Sequence, residues 1–150
     1  MREEVAELLE NRSELLTITY FKLQKLFEQK YGQNALVLME IGTFFEVYEV
    51  NNDKEQIGKA KEIAELLNIQ LTRKNKSILE NSKENPIMAG VPAISFEKHL
   101  VRIIAEQKYT VAIIRQKGLP PNVSRYLDTV VSPGTNFDFV IDQDENNITS

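Results

Sequence analysis

Short apolar runs alternate in this chain with segments whose apolar residues recur every three to four positions. Five runs have the length and the β-branched or aromatic content of strands: residues 35–39, 43–50, 69–72, 109–116 and 127–131. Residues 87–91 are also apolar and are predicted to return to the core. Three segments have the spacing of amphipathic helices: residues 3–31, 57–67 and 95–107. Such alternation predicts an α/β (α+β) fold, a single domain with one mixed β-sheet flanked by helices. A chain of 150 residues suits one such domain.

Helix starts are predicted from the polar residues that precede each apolar pattern. The first helical segment is expected to break at Thr17–Thr19, with one of these two threonines capping the second piece. The next helix is expected to open at Asn52 or Asp53, which makes Ile57 its first core residue. Residues 73–85 are polar, basic and aperiodic, so they are predicted to form a surface loop.

Several classes of site are excluded by the residues that the chain lacks. It has no cysteine, which excludes disulfides, zinc ribbons, iron–sulfur sites and a thiol nucleophile. Its one histidine, His99, is predicted to be a surface or half-buried helix residue. The sequence has neither a Walker-type phosphate loop nor a Rossmann glycine motif. It also shows no secretory signal and no apolar run of membrane-spanning length, so we expect a cytosolic chain or a piece of one. No pair of carboxylates is fixed on an apolar element as acid–base catalysis needs, so we do not expect an enzyme.

Charge is distributed unevenly along the chain. The formal net charge is −4, yet residues 73–125 hold ten Lys and Arg against four acidic residues. The last 25 residues, from 126 to 150, hold five acidic residues and no basic ones. The basic third fits either an anionic partner or a solvated surface of mixed charge.

The segment Gly42–Tyr48 contains the candidate site. Because side chains alternate along a strand, Phe44, Glu46 and Tyr48 are predicted to share one face, and that face is expected to be the wetter one. Taken alone, the pattern leaves two interpretations open. Phe44 is either an edge of the core beside a solvated glutamate, or an exposed ring that meets a ligand.

This segment is also the first of four motifs that resemble the N-terminal mismatch-recognition domain (domain I) of the MutS family of DNA mismatch-repair proteins. The resemblance runs from about residue 17 to residue 135. The family's G-D-F-Y-E, L-T-K-R, P-M-A-G-I-P and V-T-P-G-T motifs stand here as Gly42-Thr43-Phe44-Phe45-Glu46, Leu71-Thr72-Arg73-Lys74, Pro86-Ile87-Met88-Ala89-Gly90-Val91-Pro92 and Val131-Ser132-Pro133-Gly134-Thr135. Departures such as Thr43 and Phe45 indicate a divergent branch.

The resemblance implies that Phe44 is the aromatic wedge of the domain and Glu46 its acidic partner. A phenyl ring can enter a duplex from the minor groove, stack on a base and kink the DNA by roughly 20–90°. Unstacking costs less free energy at a mispaired or unpaired base, so the family's partner is double-stranded DNA with mismatches or small loops. A protonated Glu46 can donate a hydrogen bond to the displaced base.

Further contacts with DNA follow from the same resemblance. Arg73, Lys74 and Arg125 correspond to basic positions that neutralise phosphates, and Lys76 lies in the same basic loop. Met88 either packs beside the wedge in the minor groove or fills the core.

The implied organisation is an N-terminal helical extension over residues 1–16, the MutS-like domain over 17–135, and an acidic tail or linker over 136–150. By resemblance, the parent protein is a homodimeric ATPase that binds ATP and Mg²⁺ in another domain and recruits downstream repair factors. This fragment itself needs no cofactor and contacts no membrane. Its expected location is the cytoplasm, associated with the nucleoid, and an organellar or viral origin stays open.

Two other functions remain open. A MutS-like domain could instead bind other distorted DNA, such as junctions or duplexes with oxidised bases. Alternatively, Phe44 could dock on a protein partner, which would make the chain a protein-interaction module. The two differ in salt dependence, because DNA binding weakens steeply as salt rises.

Overall fold

Seven strands form one mixed sheet in the computed structural model, which describes residues 1–133. The helices are α1 (Arg2–Glu10), α2 (Leu16–Tyr31), α3 (Ala60–Leu67) and α4 (Phe96–Ala105), and a short 3₁₀ helix spans Ala93–Ser95. The strands are β1 (Ala35–Ile41), β2 (Phe44–Asn51), β3 (Gln56–Gly58), β4 (Thr72–Arg73), β5 (Ile87–Pro92), β6 (Thr110–Lys117) and β7 (Ser124–Val131). The predicted fold class, one mixed sheet flanked by helices, is confirmed.

The strand order places β1 and β2 in the middle of the sheet. The order is β4-β5-β2-β1-β6-β7, and β3 pairs with the far end of β2. Strands β1 and β6 are parallel, and all other pairs are antiparallel. A two-residue turn, Gly42–Thr43, joins β1 to β2, and Phe44 follows this turn as the first residue of β2. Phe44 therefore stands at one end of the sheet.

Helices cover both faces of the sheet. Helices α1 and α2 pack on one face, which we call the α2 face, and α3 and α4 pack on the other, the α4 face. Alternate residues of β2 reach the two layers. On the α2 face the ring of Tyr48 contacts Tyr20 edge-on at 4.9 Å between centroids, and on the α4 face Phe45 stacks on Phe96 at 3.8 Å.

Two polar side chains of α2 complete the backbone hydrogen bonding of β1. Strand β2 pairs with β1 only from Met39 to Ile41, so the earlier residues of β1 have no β2 neighbour. The buried amide of Gln24 donates to the Ala35 carbonyl at 2.7 Å and accepts from the Val37 N–H at 3.0 Å. The Tyr20 hydroxyl donates to the Val37 carbonyl at 2.6 Å. These bonds fix α2 on the sheet because buried backbone groups need partners.

The first helical segment is interrupted, as predicted, but the break lies at residues 11–15 and not at Thr17–Thr19. Helix α1 ends at Glu10 and α2 begins at Leu16, so Thr17 and Thr19 lie inside α2, where both are buried. The N-cap is Leu15, and no side chain caps this end. The hydroxyl of Thr19 donates a hydrogen bond to Glu14 Oε1 at 3.0 Å, so this buried polar group has a partner.

The predicted start of the next helix is also wrong. Ile57 belongs to β3, and α3 begins only at Ala60. Asn52 forms the turn before β3, since its Oδ1 accepts from the backbone N–H of Lys54 at 2.8 Å and of Glu55 at 3.0 Å. Ile57 faces the core from a strand, and its spacing to the α3 residues imitates a helical period.

The segment between β4 and β5 is a loop, as predicted, although the strand predicted at 69–72 is reduced to Thr72–Arg73. The buried Asn85 organises this loop, because its side chain bonds to the Asn75 N–H and to the carbonyls of Ile78 and Glu80. His99 is half-buried on α4, as predicted.

Within residues 1–133, the helices are all too short or too polar to cross a membrane. The predicted acidic tail, 136–150, lies outside the described residues.

Gly58 permits the close approach of β3 to β2. Its φ is +95°, and a Cβ atom there would lie 2.2 Å from the Tyr48 carbonyl oxygen. Gly32 is a matched control, since its φ is +93° and a Cβ there meets nothing within 4 Å. We expect Gly32→Ala to cost about 1–3 kcal/mol of unfolding free energy from backbone strain alone, because its φ of +93° and ψ of −176° lie in a region that essentially only glycine adopts. Gly58→Ala should cost roughly 1–3 kcal/mol more from overpacking. Equal losses in urea unfolding would contradict this account.

Candidate nucleic-acid interface

Phe44 projects from a turn that is held on both sides. The side-chain amide of Gln116 donates to the Gly42 carbonyl at 2.7 Å and accepts from the Gly42 N–H at 3.2 Å. On the other side, the Ala93 N–H donates to the Thr43 carbonyl at 2.8 Å. The Phe44 side chain remains 43% exposed. The ring is therefore accessible on a fixed backbone.

Other apolar side chains are exposed at this end of the sheet. Ile94, in the 3₁₀ helix after β5, is 98% exposed, and Leu119, in the connection from β6 to β7, is 80% exposed. Both connections adjoin Phe44, because β5 ends beside it and β6 ends beside Gly42. The neighbouring Phe45, by contrast, is 1% exposed. This end of the sheet thus presents apolar surface that the core does not use.

Glu46 lies two residues after Phe44 on the same face and takes part in a polar cluster. Its side chain is only 12% exposed. Its Oε1 accepts a hydrogen bond from the Tyr48 hydroxyl and another from Lys74 Nζ at 3.1 Å. Lys74 Nζ also lies 3.2 Å from the Tyr48 hydroxyl oxygen. We call Glu46, Tyr48 and Lys74 the Glu46 cluster.

Exposure falls steadily along this face of β2, from Phe44 through Glu46 to the fully buried Tyr48. From Phe44 to Val47 the face that carries Glu46 is the wetter of the two, as predicted, whereas Tyr48 on the same face is buried because α2 covers it. Burial, and next the neighbouring Glu46 carboxylate, raise the pKa of Tyr48 above its usual value. The Tyr48 hydroxyl consequently keeps its proton and acts as a donor to Glu46.

Arg125 of β7 lies on the same side as the Glu46 cluster. Its Nε donates to the Glu40 carbonyl at 2.9 Å, and its Nη2 lies 3.4 Å from Gln116 Oε1. Desolvation lowers the pKa of Arg125, while Tyr48, Glu40 and Glu46 act in the opposite direction. The sheet register gives this placement, since Met39 pairs with both Glu46 and Ile114, and Arg125 pairs with Gln116, two residues after Ile114.

Arg73 and Lys76 lie away from the Glu46 cluster. In the sheet register Arg73 pairs with Ile87, one step away from the Thr72–Met88 pair that neighbours Tyr48, so it belongs to the opposite face. Its buried Nε has no hydrogen-bond partner among the described residues. Together with the exposed Lys76, Arg73 lines a cavity of about 440 Å³ at the β4 edge.

Met88 lies beside Tyr48 in the register and packs, half-buried, against the core. The structure therefore brings Lys74 to Glu46, places Arg125 on the same face of the sheet, and keeps Arg73 and Lys76 at a separate edge. Among residues 1–133, no three His, Asp or Glu side chains form a group that could hold a metal ion.

Three of the motif segments occupy neighbouring strands. Residues 42–46 open β2, residues 86–92 form β5, and residues 71–74 include β4. Residues 20–140 match the family MutS domain I. The chain belongs to the MutS domain I family. All seven candidate residues lie within the matched range: Phe44, Glu46, Arg73, Lys74, Lys76, Met88 and Arg125.

Curated MutS relatives resemble nearly the whole of this MutS domain I chain. A DNA mismatch repair protein mutS homolog of Acanthamoeba polyphaga mimivirus is 30% identical over 142 residues, which cover 94% of this chain. DNA mismatch repair protein MutS 2 of Haloarcula marismortui is 31% identical over 137 residues, or 89% of this chain. The chain spans about 12% of the length of each of these relatives.

Two residues of this MutS domain I site were missed by sequence reasoning. The alternation of β2 placed Tyr48 on the face of Glu46, but the contact between its hydroxyl and the carboxyl group was not predicted. Gln116 gave no sequence signal, since it is 74 residues from the turn that it binds.

Proposed function

We propose that this domain recognises mispaired or unpaired bases in double-stranded DNA by inserting Phe44 from the minor groove. The observation that carries the proposal is the exposed Phe44 ring, held on a fixed turn beside Glu46 in a MutS domain I. Wedge residues of this kind unstack a base step and kink the duplex. The fixed turn supports this role, because a ring that is already in position loses little conformational entropy on binding.

The proposed discrimination comes from the deformability of DNA. Unstacking a base step costs a few kcal/mol in a paired duplex and less where pairing is already weakened. Because insertion of the ring depends on the free-energy cost of unstacking, recognition needs no sequence-specific hydrogen bonds. Many different mispairs can therefore be recognised. Phosphate contacts add affinity but carry no sequence information.

Glu46 is the proposed polar contact to the displaced base, as hydrogen-bond donor in its protonated form. Lys74 lies beside it and Arg125 on the same face of the sheet, and both would neutralise the nearest phosphates, which lowers the repulsion between DNA and a carboxylate. Arg73 and Lys76, at the β4 edge, would contact the DNA backbone farther from the Phe44 wedge. Met88 lies beside Tyr48 in the sheet.

The relatives are DNA mismatch repair proteins, and the proposed setting of this domain is the same pathway. We assign ATP and Mg²⁺ binding, homodimer formation and the recruitment of downstream repair factors to other parts of a longer protein. The domain itself is proposed to act as a non-catalytic binding module in the nucleoid-containing cytoplasm or a comparable compartment.

Direct binding tests the proposal. The chain is titrated at low salt with matched duplex, with the same duplex carrying a G·T mispair or one unpaired base, and with a four-way junction. We expect tighter binding to the mispaired and unpaired duplexes than to matched DNA, and a steep loss of affinity as salt rises. Equal affinity for matched and mispaired DNA would overturn it. Preference for the junction would favour a different distorted-DNA target, and binding to none of the duplexes would favour a protein partner.

Glu46→Gln is expected to keep mismatch binding and to tighten binding to matched duplex. Glutamine retains a hydrogen-bond donor for the base while removing a negative charge near phosphates. Fluorescence anisotropy with both duplexes measures this, and Glu55→Gln, a change of equal charge in the β2–β3 turn, is the control. Loss of mismatch binding as complete as in Phe44→Ala would rule out the donor role.

A further inference from the structure

We propose that Tyr48 is a positioning residue, which, together with Lys74, holds the Glu46 carboxyl group by Oε1 so that Oε2 is presented to the displaced base. The inference rests on the proposed function and adds a residue that determines its specificity. Tyr48 does not touch DNA in this scheme, because its ring is fully buried.

The geometry shows why Tyr48 can hold a neighbouring side chain in one place. Its ring is fixed between the sheet and α2, with Tyr20 at 4.9 Å and Phe21 at 6.4 Å between ring centroids. Only its hydroxyl reaches the Glu46 carboxyl group, two residues away on the same face. Rigid packing therefore fixes the donor before any DNA is bound.

Lys74 completes the arrangement from the other side. Its Nζ lies 3.1 Å from Glu46 Oε1, 3.2 Å from the Tyr48 hydroxyl oxygen and 5.4 Å from the centroid of the Tyr48 ring. The contacts of Tyr48 and Lys74 with the carboxyl group thus converge on the same oxygen, Oε1. An oxygen that accepts from two donors is a poor site for a proton.

The two carboxyl oxygens of Glu46 therefore have different roles. Oε1 accepts from Tyr48 and Lys74, so a proton taken up by Glu46 belongs on Oε2, which is where a donor to the base is needed. The same contacts orient a glutamine at position 46. Its amide oxygen takes the place of Oε1, and its NH₂ group faces the base. This gives a structural reason for the mismatch binding that we expect Glu46→Gln to keep.

Tyr48→Phe tests the inference because it removes only the hydroxyl. The mismatch-to-matched affinity ratio is expected to fall about five- to tenfold, the value of roughly one ordinary hydrogen bond. Tyr109→Phe is the matched control, since the Tyr109 hydroxyl also donates to a glutamate, Glu62, at the opposite end of β6 from Gly42. That variant should keep the wild-type ratio. Urea unfolding of both variants measures the loss of stability, which should be similar.

A second background separates positioning from structure. In Glu46→Ala, where nothing remains to be positioned, adding Tyr48→Phe should leave the affinity ratio unchanged. A ratio that falls equally in both backgrounds, or that Tyr48→Phe leaves at the wild-type value, would overturn the inference while the proposed function stands. A wild-type chain with no preference for mismatched DNA would overturn both.

Discussion

Phe44→Ala is expected to lose its preference for mismatched duplex, with mismatch binding weakened by roughly 5- to 150-fold, the value of one base–aromatic stack. Binding to matched DNA should change little, because phosphate contacts supply most non-specific affinity. The ring is 43% exposed in the free chain, so its removal should lower the unfolding free energy by only about 1–2 kcal/mol. Anisotropy titrations with matched and mispaired duplexes, together with urea unfolding, measure both effects.

Ile94→Ala is the matched control for this variant. Ile94 is 98% exposed at the same end of the sheet, but it has no ring to stack on a base. It should therefore keep the mismatch preference that Phe44→Ala loses. If Phe44→Ala weakened binding to matched and mispaired DNA equally, the ring would be a general contact and the wedge mechanism would be wrong.

The strands were largely predictable because a short continuous apolar run in a small domain usually forms a buried strand. The errors arose where local pattern and tertiary environment disagree. Thr17 and Thr19 are weak helix formers by local propensity, yet burial on the sheet keeps them inside α2. Ile57 fits a helical spacing equally well from the strand before α3. Neither outcome could be predicted from the neighbouring residues alone.

The candidate site was predictable to the extent that it depends on a single strand. Alternation along β2 separated Phe44 and Glu46 from Phe45 correctly. It could not show that α2 buries Tyr48 or that Gln116 reaches the Gly42 turn, since these contacts join distant parts of the chain.

The basic residues illustrate a different limit. The predicted strand ended at residue 72, so nothing indicated that Arg73 and Lys74 leave the sheet on different sides. Because β4 includes Arg73, that side chain belongs to the face opposite Tyr48, while Lys74 returns to Glu46. A count of charges predicted a basic region but not which charges lie together.

Phe45→Ala is expected to reduce the unfolding free energy by about 3–5 kcal/mol, the usual cost of removing a buried phenylalanine. Phe45 is 1% exposed and stacks on Phe96, and the Arg115 guanidinium lies 5.3 Å from its ring centroid. The substitution leaves a cavity between β2 and α4 and removes one partner of the ring stack. Urea unfolding measures the loss, with Phe44→Ala as the adjacent comparison.

Phe44→Ala and Phe45→Ala should therefore have opposite effects, the first on mismatch preference and the second on stability. Domains of this kind have unfolding free energies of about 5–15 kcal/mol, so Phe45→Ala should remove a large part of that stability. Because only folded molecules bind DNA, the apparent affinity for matched and for mispaired duplex should fall by the same factor. The mismatch-to-matched ratio should nevertheless stay at the wild-type value, because the folded molecules keep Phe44 in place. A lower ratio in Phe45→Ala at full folding, measured at low temperature, would show that the wedge depends on packing beneath β2. A loss of less than about 1 kcal/mol would contradict the cavity argument itself.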